Sequence, residues 1–177
     1  DNAHRRVQCH QCHVAGHAAH HIADHHVVAA GVAALRVGKR VRCACAARDG
    51  IALVRPMYHL YPHHDVAYAV ANQYMFGSQL MVAPITQSRD AVTLRGSAQV
   101  WLPDGVWVDI FNGCVYQGGR LLTMSRDLNA IPVLMREGEI LPLARDVMSD
   151  VDSNPSALEV LVTVGADADF TLIEDDG

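Results

Sequence analysis

The sequence predicts a mainly β fold, with an antiparallel β-sandwich read from the strand pattern of residues 86–177. Three observations predict it. Short apolar runs recur between tight-turn signals. Two of those runs flank Asn112-Gly113, the strongest short-range hairpin signal. No long stretch of helical period interrupts them, which is the pattern of a sandwich rather than of alternating strands and helices.

Composition sets the outer limits. The chain has 177 residues, half of them apolar and 19% charged, with a formal net charge of −5. This excludes a disordered tail, a collagen-like repeat and a coiled coil. No run of about 18 uncharged apolar residues is present, so no transmembrane helix and no membrane partner are expected. The acidic balance argues against nucleic acid as a partner. The averages hide a break near Gly50. Eight of the 11 His and four of the five Cys precede it, while all ten aromatics and all seven Pro follow it. Residues 1–50 carry seven Lys/Arg against three Asp, and residues 51–177 carry seven against 16 acids.

Residues 1–49 read as an anomalous His/Cys/Ala-rich segment, irregular or weakly helical. Val27–Leu35 has helical propensity, weakened by Gly31. With no aromatic and few large aliphatics, the segment has little to build a core from. Cys9-His10-Gln11-Cys12-His13 matches the C-x-x-C-H pattern of c-type haem attachment. His17, His21 and His25 have i,i+4 spacing, and with His20, His26, Cys9 and Cys12 they outline a possible metal cluster. No second C-x-x-C follows, and Cys43-Ala44-Cys45 is distant. A haem- or metal-binding protein is therefore the third-ranked reading, and neither cofactor nor metal is expected. The Ala, Arg, His, Cys and Val bias is also that of a GC-rich coding region translated out of frame. Translating the DNA in the other two forward frames tests this. A well-patterned helix feeding into Gly50 supports it, and its absence from both frames refutes it.

From Gly50 the elements follow in order. Ile51–Val54 reads as a buried strand ended by Arg55-Pro56, because Pro cannot donate to a ladder. Tyr58–Tyr61 is amphipathic, and Pro62–Asp65 is a loop with Asp65 as helix N-cap. Val66–Phe76 is expected to be a short helix capped by Gly77. Leu80–Ile85 is a second buried strand. Gln99–Leu102, Val106–Phe111, Val115-Tyr116, Leu121–Met124, Ile131–Met135 and Ile140–Leu143 are strands. They are separated by turns at Pro103-Asp104-Gly105, Asn112-Gly113, Gly118-Gly119 and Glu137-Gly138-Glu139. Arg145–Ser156 reads as a linker. Leu158–Val164 and Phe170–Ile173 then start a second β unit, whose final Asp-Gly suggests a turn with no return strand. The chain begins at Asp1, shows no signal peptide, and reads as a fragment of a longer protein.

Two stretches carry a family resemblance. Val54-Arg55-Pro56, Tyr61-Pro62 with Asp65, Gln73-Tyr74-Met75-Phe76-Gly77 and Val82-Ala83-Pro84 stand in an order similar to the end of the catalytic barrel of glycoside hydrolase family 31. Leu102-Pro103-Asp104-Gly105, Trp107, Asp109, Asn112-Gly113, Gly118-Gly119, Ile131-Pro132-Val133, Arg136, Gly138, Ile140 and Pro142 resemble the signature of that family's C-terminal sandwich. Glu174–Gly177 resembles an acidic turn in its distal β domain. Residues 1–49 do not match. The resemblance implies the last strand and helix of a (β/α)8 barrel at 50–79 and a proximal sandwich at 80–144. A linker at 145–157 and a truncated distal domain at 158–177 would follow.

It also implies a retaining α-glycosidase of the α-glucosidase or α-xylosidase kind, acting on α-linked oligosaccharides or glycosides. Two carboxylates would flank an oxocarbenium-like transition state. In the family both lie upstream of the matched region, so no catalytic residue is expected in this chain and the fragment is expected to be inactive. Arg55 is the one candidate substrate-binding residue, at the C-terminal end of a barrel strand where such enzymes place functional groups. The bland alternative is an Arg paired with a buried carboxylate. His59, His63 and His64 read as surface residues, Trp101 and Trp107 as core, and Asp104 and Asp109 as turn and sheet-edge residues. Lone Cys114 suggests no catalysis. The second-ranked reading is a non-catalytic carbohydrate-binding sandwich.

Overall fold

The computed structural model describes residues 4–9, 50–144 and 157–173. Its contacts divide the chain into two units, Val54–Glu137 and a second one formed by Asp1–Leu53 with Gly138–Gly177. The expected helix at Val27–Leu35 lies outside the described residues. So do the haem-like run beyond Cys9, the His cluster, Cys43 and Cys45, the Arg145–Ser156 linker and the Glu174–Gly177 turn.

In the first unit a six-stranded antiparallel sheet runs β2 (Val54–Pro56), β3 (Tyr74–Phe76), β4 (Leu80–Val82), β9 (Val133–Arg136), β6 (Val106–Asp109), β7 (Val115–Gln117). A second antiparallel pair joins β5 (Gly96–Leu102) to β8 (Arg120–Arg126), in register from Gly96 opposite Arg126 to Leu102 opposite Arg120. Two short helices, α1 (Met57–Leu60) and α2 (Asp65–Ala69), lie between β2 and β3. One apolar cluster joins all three parts. It takes Val100, Trp101, Leu102 and Met124 from the β5–β8 pair and Met75, Met81, Trp107 and Leu134 from the large sheet. Met57 and Ala67 join it from the helices. Burying these side chains is the main source of stability here, at roughly 1.5–3 kcal/mol for each large one.

The turns follow residue chemistry. Asn112-Gly113 closes the β6–β7 hairpin, with Gly113 N–H donating to Asp109 O and Asp109 N–H to Cys114 O, both at 2.9 Å. Gly118 is required by close approach. Its N–H donates to Gly105 O at 2.7 Å, and a Cβ there would lie 1.9 Å from Pro103 O. No L side chain fits without opening that turn.

Four expectations change. The strand expected at Ile51–Val54 is Val54–Pro56. Pro56 is tolerated because β2 is the edge of its sheet. The helix expected over Val66–Phe76 is only Asp65–Ala69, and Tyr74–Phe76 is instead a strand folded onto Leu80–Val82. Asp65 is not the N-cap. His64 is, and Asp65 stands in the acidic first turn. Asp109 is not a sheet-edge residue, because β6 lies between β9 and β7 and the side chain is fully buried.

In the other unit, β10 (Ile140–Ala144) pairs antiparallel with β11 (Leu158–Val162), and β12 (Ala168–Ile173) pairs with β1 (His4–Cys9). The N-terminal segment, expected to be irregular or weakly helical, is extended at His4–Cys9, where it pairs with β12. Beside β10, Gly138 N–H donates to Thr163 O at 2.8 Å. Gly138 has φ +79°, and a Cβ would meet that of Ala166 at 2.7 Å, so glycine is needed there.

Candidate functional site

Arg55 stands on the edge strand β2, half-buried. Its Nη2 donates to Gly77 O at 2.7 Å, which ties the strand to the β3–β4 turn. Its Nε is buried with no hydrogen-bond partner among the described residues. The alternative expectation for Arg55, a buried carboxylate partner, thus has a backbone carbonyl in its place.

The segment of α1 and α2 between β2 and β3 carries Tyr58, Tyr61 and Tyr68. Tyr58 and Tyr68 stack with ring centroids 5.2 Å apart and planes 10° apart, and both are exposed. Tyr68 O–H donates to Pro62 O at 3.1 Å. Tyr61 meets Trp101 edge-on at 5.2 Å, and His64 lies 5.3 Å from the same indole. Burial pushes the Tyr61 phenol above its usual range, with Arg136 opposing. His59, His63 and His64 are exposed, while Trp101 and Trp107 are core. Trp107 Nε1–H donates to Pro103 O at 2.8 Å, so the indole is satisfied where it is buried.

Two buried polar locks went unread in the sequence. Gln73 was notable only as part of a motif. Its amide behaves as an inserted strand residue. Nε2 donates to Trp101 O at 2.6 Å, and Trp101 N–H donates to Oε1 at 2.8 Å. Nε2 also lies 2.7 Å from the Met81 sulfur. The second lock is Asp109, whose Oδ1 accepts Phe111 N–H at 2.9 Å while Oδ2 accepts Arg126 Nη2. Burial disfavours the Arg126 charge, but Asp109 and Tyr116 more than offset it and the guanidinium pKa is raised. Asp109 therefore braces the sheet and is not available for catalysis. Asp90 is likewise committed to its own loop. Among the described residues no three His, Cys, Asp or Glu side chains gather as a metal site.

A cavity of about 410 Å³ opens between the segment after α2, the segment after β4, and strands β5 and β8. Its wall carries Asn72, Thr86, Gln99 and Thr123, and its floor Val70 and Ala83.

These features stand within a recognisable frame. A profile described as the glycosyl hydrolase family 31 C-terminal domain matches residues 50–141, starting at the composition break. An α-xylosidase of Emericella nidulans is 32% identical over 133 residues, covering 71% of this chain and 16% of the relative. Alpha-glucosidase 2 of Bacillus thermoamyloliquefaciens is 28% identical, over 75% of this chain and 16% of its own length. The crystal structure of a family 31 α-xylosidase from Xanthomonas citri superposes with a TM-score of 0.62 at 28% identity, over 75% of this chain and 14% of that one. The chain thus spans about a sixth of the length of these relatives. With its family signature in order from Val54 to Pro142, the chain belongs to glycoside hydrolase family 31.

Proposed function

We propose that this chain is the C-terminal part of a retaining α-glycosidase that hydrolyses O-glycosyl bonds of α-linked oligosaccharides, with α-glucosidase-like preference. One observation carries the reading: the family profile spans Gly50 to Leu141, and the residues it shares build a sandwich with its own core and polar locks. In this reading the barrel end expected at 50–79 gives way to a sandwich that already includes β2 and β3, since both pair antiparallel in the sheet of β4. That sandwich follows the catalytic barrel in the longer protein, and 158–177 is the start of a distal β domain. The two catalytic carboxylates belong upstream, one as nucleophile and one as acid/base. Arg55 is the chain's contribution on the substrate side.

In this reading the chain alone is inactive. The test is release of glucose or xylose from aryl α-glycosides by the purified chain. No release above the buffer rate is expected, and turnover that copurifies with the chain overturns the reading. Relatives include an isomaltosyltransferase as well as α-xylosidases. Water versus sugar as acceptor, and glucose versus xylose, are decided on the longer protein by product analysis.

A further inference from the structure

We propose that the cavity between the α2–β3 segment and strands β5 and β8 is a binding site for a neutral pyranoside, one sugar ring of an α-linked saccharide. The proposal rests on the reading above for its choice of sugar over other neutral polyols. The volume of about 410 Å³ falls within the range of roughly 300–1,000 Å³ usual for small-molecule sites.

Among the described residues its lining holds no Asp, Glu, Lys, Arg or His. A phosphate, a carboxylate or a cation therefore finds no counter-charge, and the wall suits an uncharged ligand. What the wall does offer is amides and hydroxyls held in place. Asn72 Nδ2 donates to Thr86 Oγ1, and Gln99 Nε2 donates to Thr123 Oγ1, each at 2.9 Å. These bonds fix both amide planes. They leave Asn72 Oδ1, Gln99 Oε1 and the second N–H of each amide without a partner among the described residues. An amide edge that presents one acceptor and one donor matches the two hydroxyls of a vicinal diol. The floor of Val70 and Ala83 is small and apolar, suited to the C–H face of a pyranose ring. Prior fixing of the amides lowers the ordering cost of binding. With no aromatic ring in the lining, affinity is expected to be weak, in the millimolar range.

The test uses the full ¹⁵N-labelled chain titrated with methyl α-glucoside, methyl α-xyloside and isomaltose, with inorganic phosphate as the charged control. Saturable shifts are expected at the Asn72 and Gln99 side-chain amides and at Ala98, and none with phosphate. Gln99→Ala and Asn72→Ala should each weaken binding roughly fivefold, as expected for one lost hydrogen bond. Both residues are exposed, so each variant should keep the dispersed spectrum of the parent chain. Gln117→Ala, on the remote strand β7, should bind as the parent does. Unchanged affinity in both cavity variants, equal shifts with phosphate, or no shift with any of the three sugars overturns the proposal. Each of these outcomes leaves the glycosidase reading intact, because that reading is judged by aryl glycoside turnover and not by binding to this chain.

Discussion

The two locks of the sandwich solve the same problem with different chemistry. Where β5 needs a partner for the Trp101 backbone, a neutral amide from Gln73 supplies both a donor and an acceptor. Where β6 turns toward Asn112-Gly113, a fully buried carboxylate is matched by Arg126 from β8. In the first lock one partner is main chain and cannot be substituted away. In the second both partners are side chains and can be removed together. A buried backbone group must always be served, whereas a buried ion pair is optional in energy but severe when halved.

The largest effect that sharpens this contrast is Arg126→Ala. It leaves the Asp109 carboxylate buried without its cation, and the expected loss is about 3–5 kcal/mol in chemical denaturation. Replacing both partners, as Asp109→Leu with Arg126→Met, should recover much of that loss, less the bond from Asp109 to Phe111 N–H. If the double variant is as unstable as the sum of the singles, the pair is not the coupled unit described here.

Gln73→Ala comes next. It strands the Trp101 N–H and carbonyl in the core, for an expected loss of about 2–4 kcal/mol. Gln73→Glu keeps the acceptor for Trp101 N–H but sets a carboxylate oxygen against Trp101 O, so it should not rescue stability at neutral pH. On acidification the protonated acid can donate to that carbonyl, and part of the loss should return. An equal loss at pH 4 and pH 7 would contradict the clamp.

The same two locks show what a sequence can and cannot disclose. Hairpin turns were legible because their chemistry is local. Asn112-Gly113 and Pro103-Asp104-Gly105 each demand a backbone shape regardless of the rest of the chain. The family motif was legible because its residues stand in a fixed order. The helix expected to run to Phe76 was misread because a short apolar run has no decisive period. Pairing of Tyr74–Phe76 with Leu80–Val82 decides it. The role of Gln73 depends on a tryptophan 28 residues away, and that of Asp109 on an arginine 17 residues away. Asp109 reads as a sheet-edge residue because it ends a strand beside a turn, and nothing local shows that β6 lies inside the sheet. Arg55 was visible as a candidate, but the carbonyl that holds it, Gly77 O, was not. The cavity is built by four separate segments, and no single stretch of sequence announces it.

The smallest effect expected concerns a third kind of lock, one that closes only its own loop. Asp90 Oδ1 accepts Thr93 N–H at 2.7 Å, Thr93 Oγ1–H at 2.9 Å and Val92 N–H at 3.1 Å. The backbone bond from Thr93, then that from its hydroxyl, then that from Val92 lower the Asp90 pKa below its ordinary value. All three bonds favour the charged form. Because the folded value lies below the unfolded one, the loop gains stability above the unfolded pKa and loses it as pH falls through the folded value. Thr93→Val removes the hydroxyl bond but keeps both backbone bonds, so it should raise the Asp90 pKa only part of the way, read from its carboxyl carbon shift. Acidification should lower the amide protection factors at Val92 and Thr93, after correction for the pH dependence of intrinsic exchange, while that of the Trp101 amide, held by Gln73, is kept. Loss of Trp101 protection over the same pH interval would mean that the loop and the core open together, and that the exposed lock is coupled to the buried ones.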